Sequence, residues 1–200
     1  RMAGKADSAA QPRREPRRPG DEYVLHVGHN AFYKNRAGVL RIFGRVRSSC
    51  ETRLKMVGPP PGRELRDLVR DLGLARHVDF IVEPDDAELA ALYRRACLLL
   101  FPSLYEGFGW PPLEAMALGC PVVCSCAASL PEIVGRAALT CAPEDERQMA
   151  SHCIAVLQSP SLAARLVQRG YARAGRFTLQ RMADGLTRAY MKAIWRGPEG

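Results

Sequence analysis

Residues 101–114, FPSLYEGFGWPPLE, decide the fold of this chain. The apolar run before them, residues 96–101, is typical of a buried parallel strand, and Pro102 ends it. A loop with two glycines follows, and Pro111 is predicted at the first position of a short helix. Strand, glycine loop and helix in this order predict a ligand site, because free amide groups at a helix N-terminus favour an anion such as a phosphate.

Two carboxylates frame this loop. Glu106 lies within it and Glu114 lies in the helix, with seven residues between them. A carboxylate accepts two hydrogen bonds side by side, so each suits a vicinal diol of a ribose or a hexose. The amides of residues 107–110 are expected to face the anion.

Five further apolar runs predict strands, at residues 22–28, 53–58, 77–82, 120–125 and 137–142. Helical spacing predicts helices between them and a series of helices at the C-terminal end. This alternation predicts an α/β fold with a doubly wound, mostly parallel, Rossmann-like sheet and C-terminal helices. The ligand is expected at the carboxyl ends of the strands.

Several helix details follow from spacing. In the helix that ends near residue 72, four apolar side chains should face the core and Gly73 should cap the end. Helices are also predicted over about 145–157, 161–169 and 178–195, the last with Thr178 as its N-cap. The inward-facing residues are Leu65, Leu68, Val69 and Leu72 in the first helix, and Leu179, Met182, Leu186, Tyr190 and Ile194 in the last.

Length and composition indicate one domain. The chain has 200 residues, of which 47% are apolar, enough for a sizeable core. No apolar run approaches the ~20 residues of a transmembrane helix, and the N-terminal stretch lacks the apolar centre of a signal peptide. Residues 1–20, rich in Arg, Pro, Ala and Gly, are predicted to be a disordered linker or chain end, and residues 21–200 the domain.

The cysteines and one acidic pair raise the question of a metal site. The seven cysteines are predicted to be reduced core residues, which suits a cytoplasmic protein. Adjacent residues of the stretch Cys124-Ser125-Cys126 should point to opposite faces of the strand, no histidine lies at ligand spacing, and a second cysteine pair is absent, so no metal is expected. Asp85 and Asp86 directly precede a helical segment and are predicted to cap it.

The formal charge of +8 raises the question of nucleic-acid binding. Residues 1–20 carry half of that surplus, and the remaining arginines concentrate in the last helices with the spacing of solvated faces. Nucleic-acid binding is therefore not predicted. Binding through the basic tail stays as an alternative. Contact of the basic helices with a membrane surface or a polyanionic acceptor stays open.

The pattern PSxYEGFGxPxLEAMAxGxPVV, with its Glu-x7-Glu spacing, resembles the retaining glycosyltransferases of family 4. The resemblance runs from residue 23 to about 194 and lies in the nucleotide-sugar-binding C-terminal half of the two-domain GT-B fold. It implies transfer of a sugar from a nucleoside-diphosphate sugar to an acceptor hydroxyl. It also implies a separate N-terminal domain that binds the acceptor, and no metal or other cofactor.

The resemblance assigns roles to particular residues. Glu114 would bind the ribose hydroxyls and Glu106 the hydroxyls of the donor sugar, while Lys34 would bind the diphosphate. Glu106 and Lys34 are the expected catalytic residues. The full expected donor-binding set is Gly28, His29, Lys34, Gly58, Val82, Glu83, Glu106, Gly107, Phe108, Gly109, Leu113 and Glu114.

The chain departs from the family pattern at two positions. His29 lies where the family often has an arginine on the diphosphate, and Pro60 lies where it commonly has a glycine.

Three other activities are compared: a binding module without activity of its own, a glycoside hydrolase with two carboxylates, and a nucleic-acid binder. The sequence leaves the choice between a UDP and a GDP donor open, as well as the sugar and the acceptor. The expected location is the cytoplasm, with its membrane face as an alternative.

Overall fold

Six short apolar segments pair into one sheet in the computed structural model, which describes residues 21–178, 180, 183–185, 187–188 and 190–191. All six match the predicted strands, each being one or two residues shorter than its apolar run. The strands are β1 (Tyr23–Val27), β2 (Arg53–Val57), β3 (Val78–Ile81), β4 (Leu98–Phe101), β5 (Val122–Ser125) and β6 (Ala138–Cys141).

The strand order is β3-β2-β1-β4-β5-β6, and every neighbouring pair is parallel. The chain thus winds outward from β1 to β3, crosses the sheet, and winds outward again from β4 to β6. In such a sheet ligands bind at the carboxyl ends of the strands where the winding reverses, which here lies between β1 and β4. The predicted doubly wound, Rossmann-like sheet is confirmed.

Helices connect the strands and cover both faces of the sheet. A short 3-10 helix (Phe32–Lys34) precedes the first α-helix. None of the helices in the described chain is long and apolar enough to cross a bilayer. The α-helices up to residue 178 are α1 (Arg36–Arg47), α2 (Arg63–Asp71), α3 (Asp86–Arg95), α4 (Trp110–Ala117), α5 (Leu130–Val134), α6 (Glu146–Gln158) and α7 (Pro160–Ala174).

Strand side chains build one core on each face of the sheet, because successive residues of a strand point to opposite sides. Val24, Leu54 and Leu98 pack on the face covered by α1, α2, α6 and α7. Leu25 and Leu99 pack on the face covered by α3, α4 and α5. All five are fully buried, and burial of one such leucine stabilises the fold by about 1.5–3 kcal/mol. The two cores hold the strand ends, and with them the loops that follow.

The end of α2 differs from the prediction at one side chain. Gly73 adopts the left-handed conformation, with φ of 67°, as the predicted cap. Leu72, predicted to face the core, follows the last residue of α2 and is exposed. Because the chain changes direction at Gly73, Leu74 takes the buried position instead.

The start of α4 also differs. The helix begins at Trp110, so Pro111 is its second residue rather than its first. Gly109, with φ of 102°, makes the turn into the helix. An L side chain rarely adopts that conformation, so the glycine rather than the proline determines where the helix begins.

The end of α7 lies beyond the predicted position. The helix continues through Gly170 to Ala174, past the expected end at residue 169. A Cβ atom on Gly170 would lie 3.3 Å from side-chain atoms of Met116 on α4. Gly170 therefore allows close packing of two helices and does not terminate one.

The prediction that Asp85 caps a helix is confirmed. Its carboxylate accepts a hydrogen bond from the Glu88 amide at 2.8 Å, and the Glu88 side chain accepts one from the Asp85 amide at 3.3 Å. This reciprocal pair satisfies two amide groups that the first turn of α3 leaves free.

The final predicted helix is described only in part. Residues 180, 183–185, 187–188 and 190–191 are helical, and Tyr190 is 68% exposed. The predicted linker, residues 1–20, and the other positions of the apolar stripe lie outside the described residues, namely Leu179, Met182, Leu186 and Ile194.

None of the seven cysteines forms a disulfide within the described chain, and five of them are buried as predicted. Burial raises the pKa of the Cys124 and Cys153 thiols well above the usual value, so both stay protonated and unreactive at neutral pH. Cys126 is exposed, so its prediction as a core residue is wrong. It follows the last residue of β5 and has left the sheet.

A histidine lies in the centre of the sheet. His26 on β1 is fully buried, and its Nδ1 lies 3.1 Å from the carbonyl oxygen of Leu100 on β4. Burial lowers its pKa to about 4, helped by the charges of Arg36 and Lys34 and opposed by the bond to Leu100. His26 is therefore neutral at pH 7. Nδ1–H donates to the carbonyl, and Nε2 has no hydrogen-bond partner in the described chain.

Acid should destabilise the fold through His26. The unfolded imidazole takes up a proton near pH 6.5, whereas the folded one does so only near pH 4. The unfolded state therefore binds more protons between these values. The free energy of unfolding should fall as the pH decreases from about 6.5 to about 4, by up to ~1.4 kcal/mol per pH unit from this group.

Denaturant titrations at several pH values measure this dependence. His26→Gln is the matched variant, because its amide still donates to the Leu100 carbonyl but does not titrate. Its stability should depend less steeply on pH between 5 and 6, by about one proton. Equal slopes for the two proteins would contradict the assignment.

Candidate functional site

A cleft of about 510 Å³ opens at the carboxyl ends of β1 and β4, where the winding of the sheet reverses. Loops after the first four strands and the start of α4 form its walls. Nine of the twelve residues predicted to bind a ligand line it: Gly28, His29, Lys34, Gly58, Glu83, Glu106, Phe108, Gly109 and Glu114.

Three predicted residues are not part of the cleft wall. Leu113 packs in the core beneath α4, Val82 lies just beyond β3 and is 43% exposed, and Gly107 is exposed within its loop. Their contacts to a ligand remain predictions.

Two other clefts in the described chain are larger, at about 660 and 690 Å³. The first lies at the amino ends of the strands, near Glu22 and Cys97, and the second lies between α1 and α2. Neither opens over the carboxyl ends of both β1 and β4. Position in the sheet and the charged groups described below, rather than size, therefore select the candidate site.

Two glycines let the loops after β1 and β2 approach each other. The Gly28 amide donates to the Val57 carbonyl at 3.0 Å. A Cβ atom on Gly58, whose φ is 148°, would lie 2.1 Å from the Gly28 carbonyl oxygen. Gly58, a member of the expected donor-binding set, is thus required by the neighbouring backbone itself.

Lys34 and Glu106 form a buried ion pair in the floor of the cleft. Lys34 Nζ lies 2.7 Å from Glu106 Oε1, and the two side chains are only 9% and 8% exposed. The ammonium also lies 5.2 Å from the centroid of the Phe101 ring. The 3-10 helix after β1 presents Lys34, and the loop after β4 presents Glu106. The sequence analysis placed both residues at the site but did not predict their contact.

Glu114 is held by a tyrosine from α3. Tyr93 Oη donates a hydrogen bond to Glu114 Oε2 at 3.0 Å. Burial raises the pKa of Tyr93 well above its usual value, and the Glu114 charge adds to the shift, so Tyr93 remains a donor. Tyr93 thereby orients the Glu114 carboxylate at the cleft wall.

Ser129 holds the loop after β4 in shape. Its hydroxyl lies 2.8 Å from the Glu106 carbonyl oxygen and 3.0 Å from that of Phe108. Phe108 in turn packs against Trp110, with ring centroids 4.7 Å apart, and against the edge of Phe177 at 6.0 Å. The loop is therefore braced on both sides of Gly107.

The start of α4 offers few free amides. A helix leaves its first four N–H groups without a helical partner, but Pro111 and Pro112 have none to offer. No side chain caps this end. The amides of Gly109 and Trp110 are therefore the ones that can meet an anion at the helix start, within the predicted segment 107–110.

The two departures from the family pattern lie in the loops after β1 and β2. His29 is exposed and lines the cleft. Pro60 is exposed, and its carbonyl oxygen accepts a hydrogen bond from Asn30 Nδ2 at 2.9 Å. The loop after β2 is thus held by a side chain from the loop after β1.

Sequence reasoning missed Tyr93 and Ser129. Tyr93 lies 21 positions before Glu114, and Ser129 lies 23 positions after Glu106. Tyr93 lies in α3, where burial alone accounts for an aromatic side chain, and Ser129 directly precedes α5, where a serine is common as a cap. Local spacing carried no signal for these contacts.

The sequence matches the family model of the group 1 glycosyl transferases over residues 7–173. It is 33% identical to the O-antigen chain mannosyltransferase B of Escherichia coli over 175 aligned residues, and this alignment covers 84% of this chain and 45% of that protein. It is 36% identical over 163 residues to the MMP alpha-(1->4)-mannosyltransferase of Mycolicibacterium hassiacum, covering 79% and 40%. The chain spans less than half the length of these relatives.

Solved structures show the same fold. Sucrose-phosphate synthase from Thermosynechococcus elongatus superimposes with a TM-score of 0.76 and 26% identity, over 90% of this chain and 47% of that one. The C-terminal domain of a group 1 family glycosyl transferase from Francisella tularensis gives a TM-score of 0.68 at 24% identity, over 76% and 84%.

The family model covers most of the chain, and the sheet order and cleft position agree with it. The chain belongs to the group 1 glycosyl transferases, and its fold is that of the C-terminal domain of GT-B enzymes.

Proposed function

We propose that the chain is the donor-binding half of a retaining glycosyltransferase, which transfers a sugar from a nucleoside-diphosphate sugar to an acceptor hydroxyl. The observation that carries the proposal is the buried Lys34–Glu106 pair, which shares one cleft with Glu114 and the start of α4. The two mannosyltransferases among the relatives support sugar transfer. The retaining outcome rests on the resemblance of the Glu-x7-Glu motif.

The donor would lie along the cleft in three parts. Glu114, oriented by Tyr93, accepts hydrogen bonds from the two ribose hydroxyls, and the backbone near Glu83 flanks the base. The diphosphate lies between Lys34 and the amides at the start of α4. The sugar lies next to Glu106, whose two oxygens offer enough lone pairs for hydroxyl groups alongside Lys34.

Lys34 and the α4 amides would assist the reaction by charge. As the glycosidic bond breaks, negative charge grows on the departing diphosphate. Groups that already point at that position stabilise it without reorganising, and they act more strongly in a site of low dielectric. Lys34 must then share its ammonium between Glu106 and the diphosphate. These roles make Lys34 and Glu106 the proposed catalytic residues, without a metal ion.

Glu106 is more simply a ligand of sugar hydroxyls than a covalent nucleophile. Its Oε1 is already paired with the Lys34 ammonium. A glycoside hydrolase would instead need one carboxyl group that donates a proton to the leaving oxygen. Here Glu106 pairs with a lysine and Glu114 accepts a hydrogen bond from a tyrosine hydroxyl, so both carboxyl groups already act as acceptors.

The acceptor belongs, in this proposal, to an N-terminal domain of the kind that the longer relatives have room for. The chain alone would then bind the donor without transferring the sugar, which is the alternative function. Its free cysteines agree with a cytoplasmic location. Contact with the cytoplasmic face of a membrane, or with a polyanionic acceptor, would come from the basic C-terminal helices.

Nucleotide binding tests the proposal directly. Calorimetric titration of the chain with UDP and with GDP, in the presence of EDTA, should show saturable binding of one of them. Glu114→Ala should weaken that binding by ~1–3 kcal/mol, because it removes the acceptors of the ribose hydroxyls. Glu51→Ala, which removes an exposed carboxylate far from this cleft, is the control and should bind as the unchanged chain does. No binding of either nucleotide by the folded chain would refute the proposal.

The buried ion pair should show strong coupling. Lys34→Met leaves Glu106 buried without a partner, and Glu106→Gln does the same to Lys34. Each single change should lower the free energy of unfolding by about 3–5 kcal/mol, whereas the double variant should recover much of that loss. Denaturant unfolding of the four proteins measures the coupling, and additive losses would show that the pair is not formed.

The brace at Ser129 should affect binding through the loop. Ser129→Ala removes the donor to the Glu106 and Phe108 carbonyls and should weaken nucleotide-sugar binding by ~1–2 kcal/mol. Ser129→Thr keeps a hydroxyl and should retain most of the affinity. Equal affinities for Ser129→Ala and the unchanged chain would show that the loop holds its shape without this contact.

A further inference from the structure

A buried cation lies behind the loops of the candidate site. Arg36 is only 6% exposed. Its Nη1 donates to the Pro59 carbonyl oxygen at 3.0 Å and to the side-chain oxygen of Asn30. Its Nε and Nη2 are buried and have no hydrogen-bond partner. Among the described residues, no carboxylate lies within 4.0 Å of the guanidinium.

This position is unfavourable for a positive charge. Burial lowers the pKa of Arg36, although a guanidinium still keeps its proton at neutral pH. Arg36 is the first residue of α1, and the N-terminal end of a helix carries a partial positive charge. The first turn contains no acidic residue, and Lys34 lies two positions before. The guanidinium carbon lies 5.8 Å from the centroid of the Phe80 ring, which offers a weak cation–π contact but no negative charge. Buried charges are normally paired, so the described chain leaves one positive charge in need of an anion.

Arg36 itself lines the cleft between α1 and α2, but one of its hydrogen bonds leads to the wall of the donor cleft. Pro59 lines that cleft, and Arg36 bonds its carbonyl oxygen. Asn30, held by Arg36, donates in turn to the Pro60 carbonyl at 2.9 Å. Arg36 and Asn30 therefore tie the loop after β1 to the loop after β2. The charge of Arg36 also reaches His26, which lies directly beneath Gly28.

We propose that Arg36 is a positioning residue for the diphosphate of the donor. Its uncompensated charge attracts the diphosphate from behind the two glycine loops, and its bonds to Asn30 and Pro59 hold those loops in the receiving shape. The inference rests on the proposed function. Arg36 then adds a second positive charge to that of Lys34 at the diphosphate.

The test compares charged and uncharged ligands. UDP, GDP, uridine and guanosine are titrated into the unchanged chain, Arg36→Met, Arg36→Lys and Arg45→Met. Arg45 lies on the same helix and is exposed, so Arg45→Met makes the same change in charge away from the site. The unfolding midpoint of each ligand-free protein is measured alongside.

Arg36→Met should weaken binding of the nucleoside diphosphate about tenfold or more and that of the matching nucleoside less than twofold, because only the diphosphate carries the charge that Arg36 attracts. Its unfolding midpoint should stay unchanged or rise, since a buried unpaired charge has been removed. Arg36→Lys should keep most of the preference for the diphosphate over the nucleoside. Arg45→Met should match the unchanged chain.

Three results would overturn the inference. Binding of the diphosphate by Arg36→Met within twofold of the unchanged chain would remove any role for the charge. Equal losses for diphosphate and nucleoside, with a lower unfolding midpoint, would leave Arg36 a structural role alone. If Arg36→Met does not fold, Arg36→Gln takes its place: diphosphate binding by Arg36→Gln within twofold of the unchanged chain would decide against the proposal, and a tenfold loss confined to the diphosphate would decide for it. Failure of the unchanged chain to bind either diphosphate would instead refute the proposed function itself.

Discussion

The buried ion pair between Lys34 and Glu106 is the interaction on which the site depends. It joins the loop after β1 to the loop after β4, across the point where the winding of the sheet reverses. Removing two charges from water costs about as much as their attraction returns, so such a pair adds little net stability. Its value lies in what it prepares: an ammonium and a carboxylate held 2.7 Å apart, each able to exchange its partner for a group of a ligand.

The surroundings of the pair are built to hold backbone and charge in place. Gly58 lets two loops meet at a distance that a Cβ atom would forbid, and Ser129 bonds the carbonyls on either side of Gly107. Tyr93 orients the second carboxylate. Arg36 adds a positive charge that the described chain leaves without an acidic partner. Arg36 lines the neighbouring cleft between α1 and α2 and reaches this one through its bond to the Pro59 carbonyl oxygen, so this cation lies behind the loops rather than in the cleft itself.

The strands could be predicted because a strand buried on both faces appears in the sequence as a continuous apolar run. The order of strands and helices along the chain then predicted the position of the cleft. Four details were wrong where a neighbour decided the outcome. The turn at Gly73 leaves Leu72 exposed, and the turn at Gly109 makes α4 begin at Trp110. Gly170 packs against Met116 instead of ending α7, and Cys126 is exposed because it lies just beyond β5. Lys34, Glu106 and Glu114, which the sequence assigned to one ligand, do line one cleft. Their contacts to each other, to Tyr93 and to Ser129 join residues far apart in the chain, and no spacing within one segment records them.

The central claim is that a nucleoside diphosphate binds at the reversal of the sheet and nowhere else on the described chain. Amide chemical-shift mapping of the labelled protein, titrated with UDP and with GDP, tests it most directly. The account predicts saturable shifts, with one of the two nucleotides, at Gly28, Gly58, Gly109 and Trp110, and none at residues of the other two clefts such as Cys50 or Leu68. Shifts centred on either of those clefts, or the absence of shifts with both nucleotides in a folded protein, would contradict it.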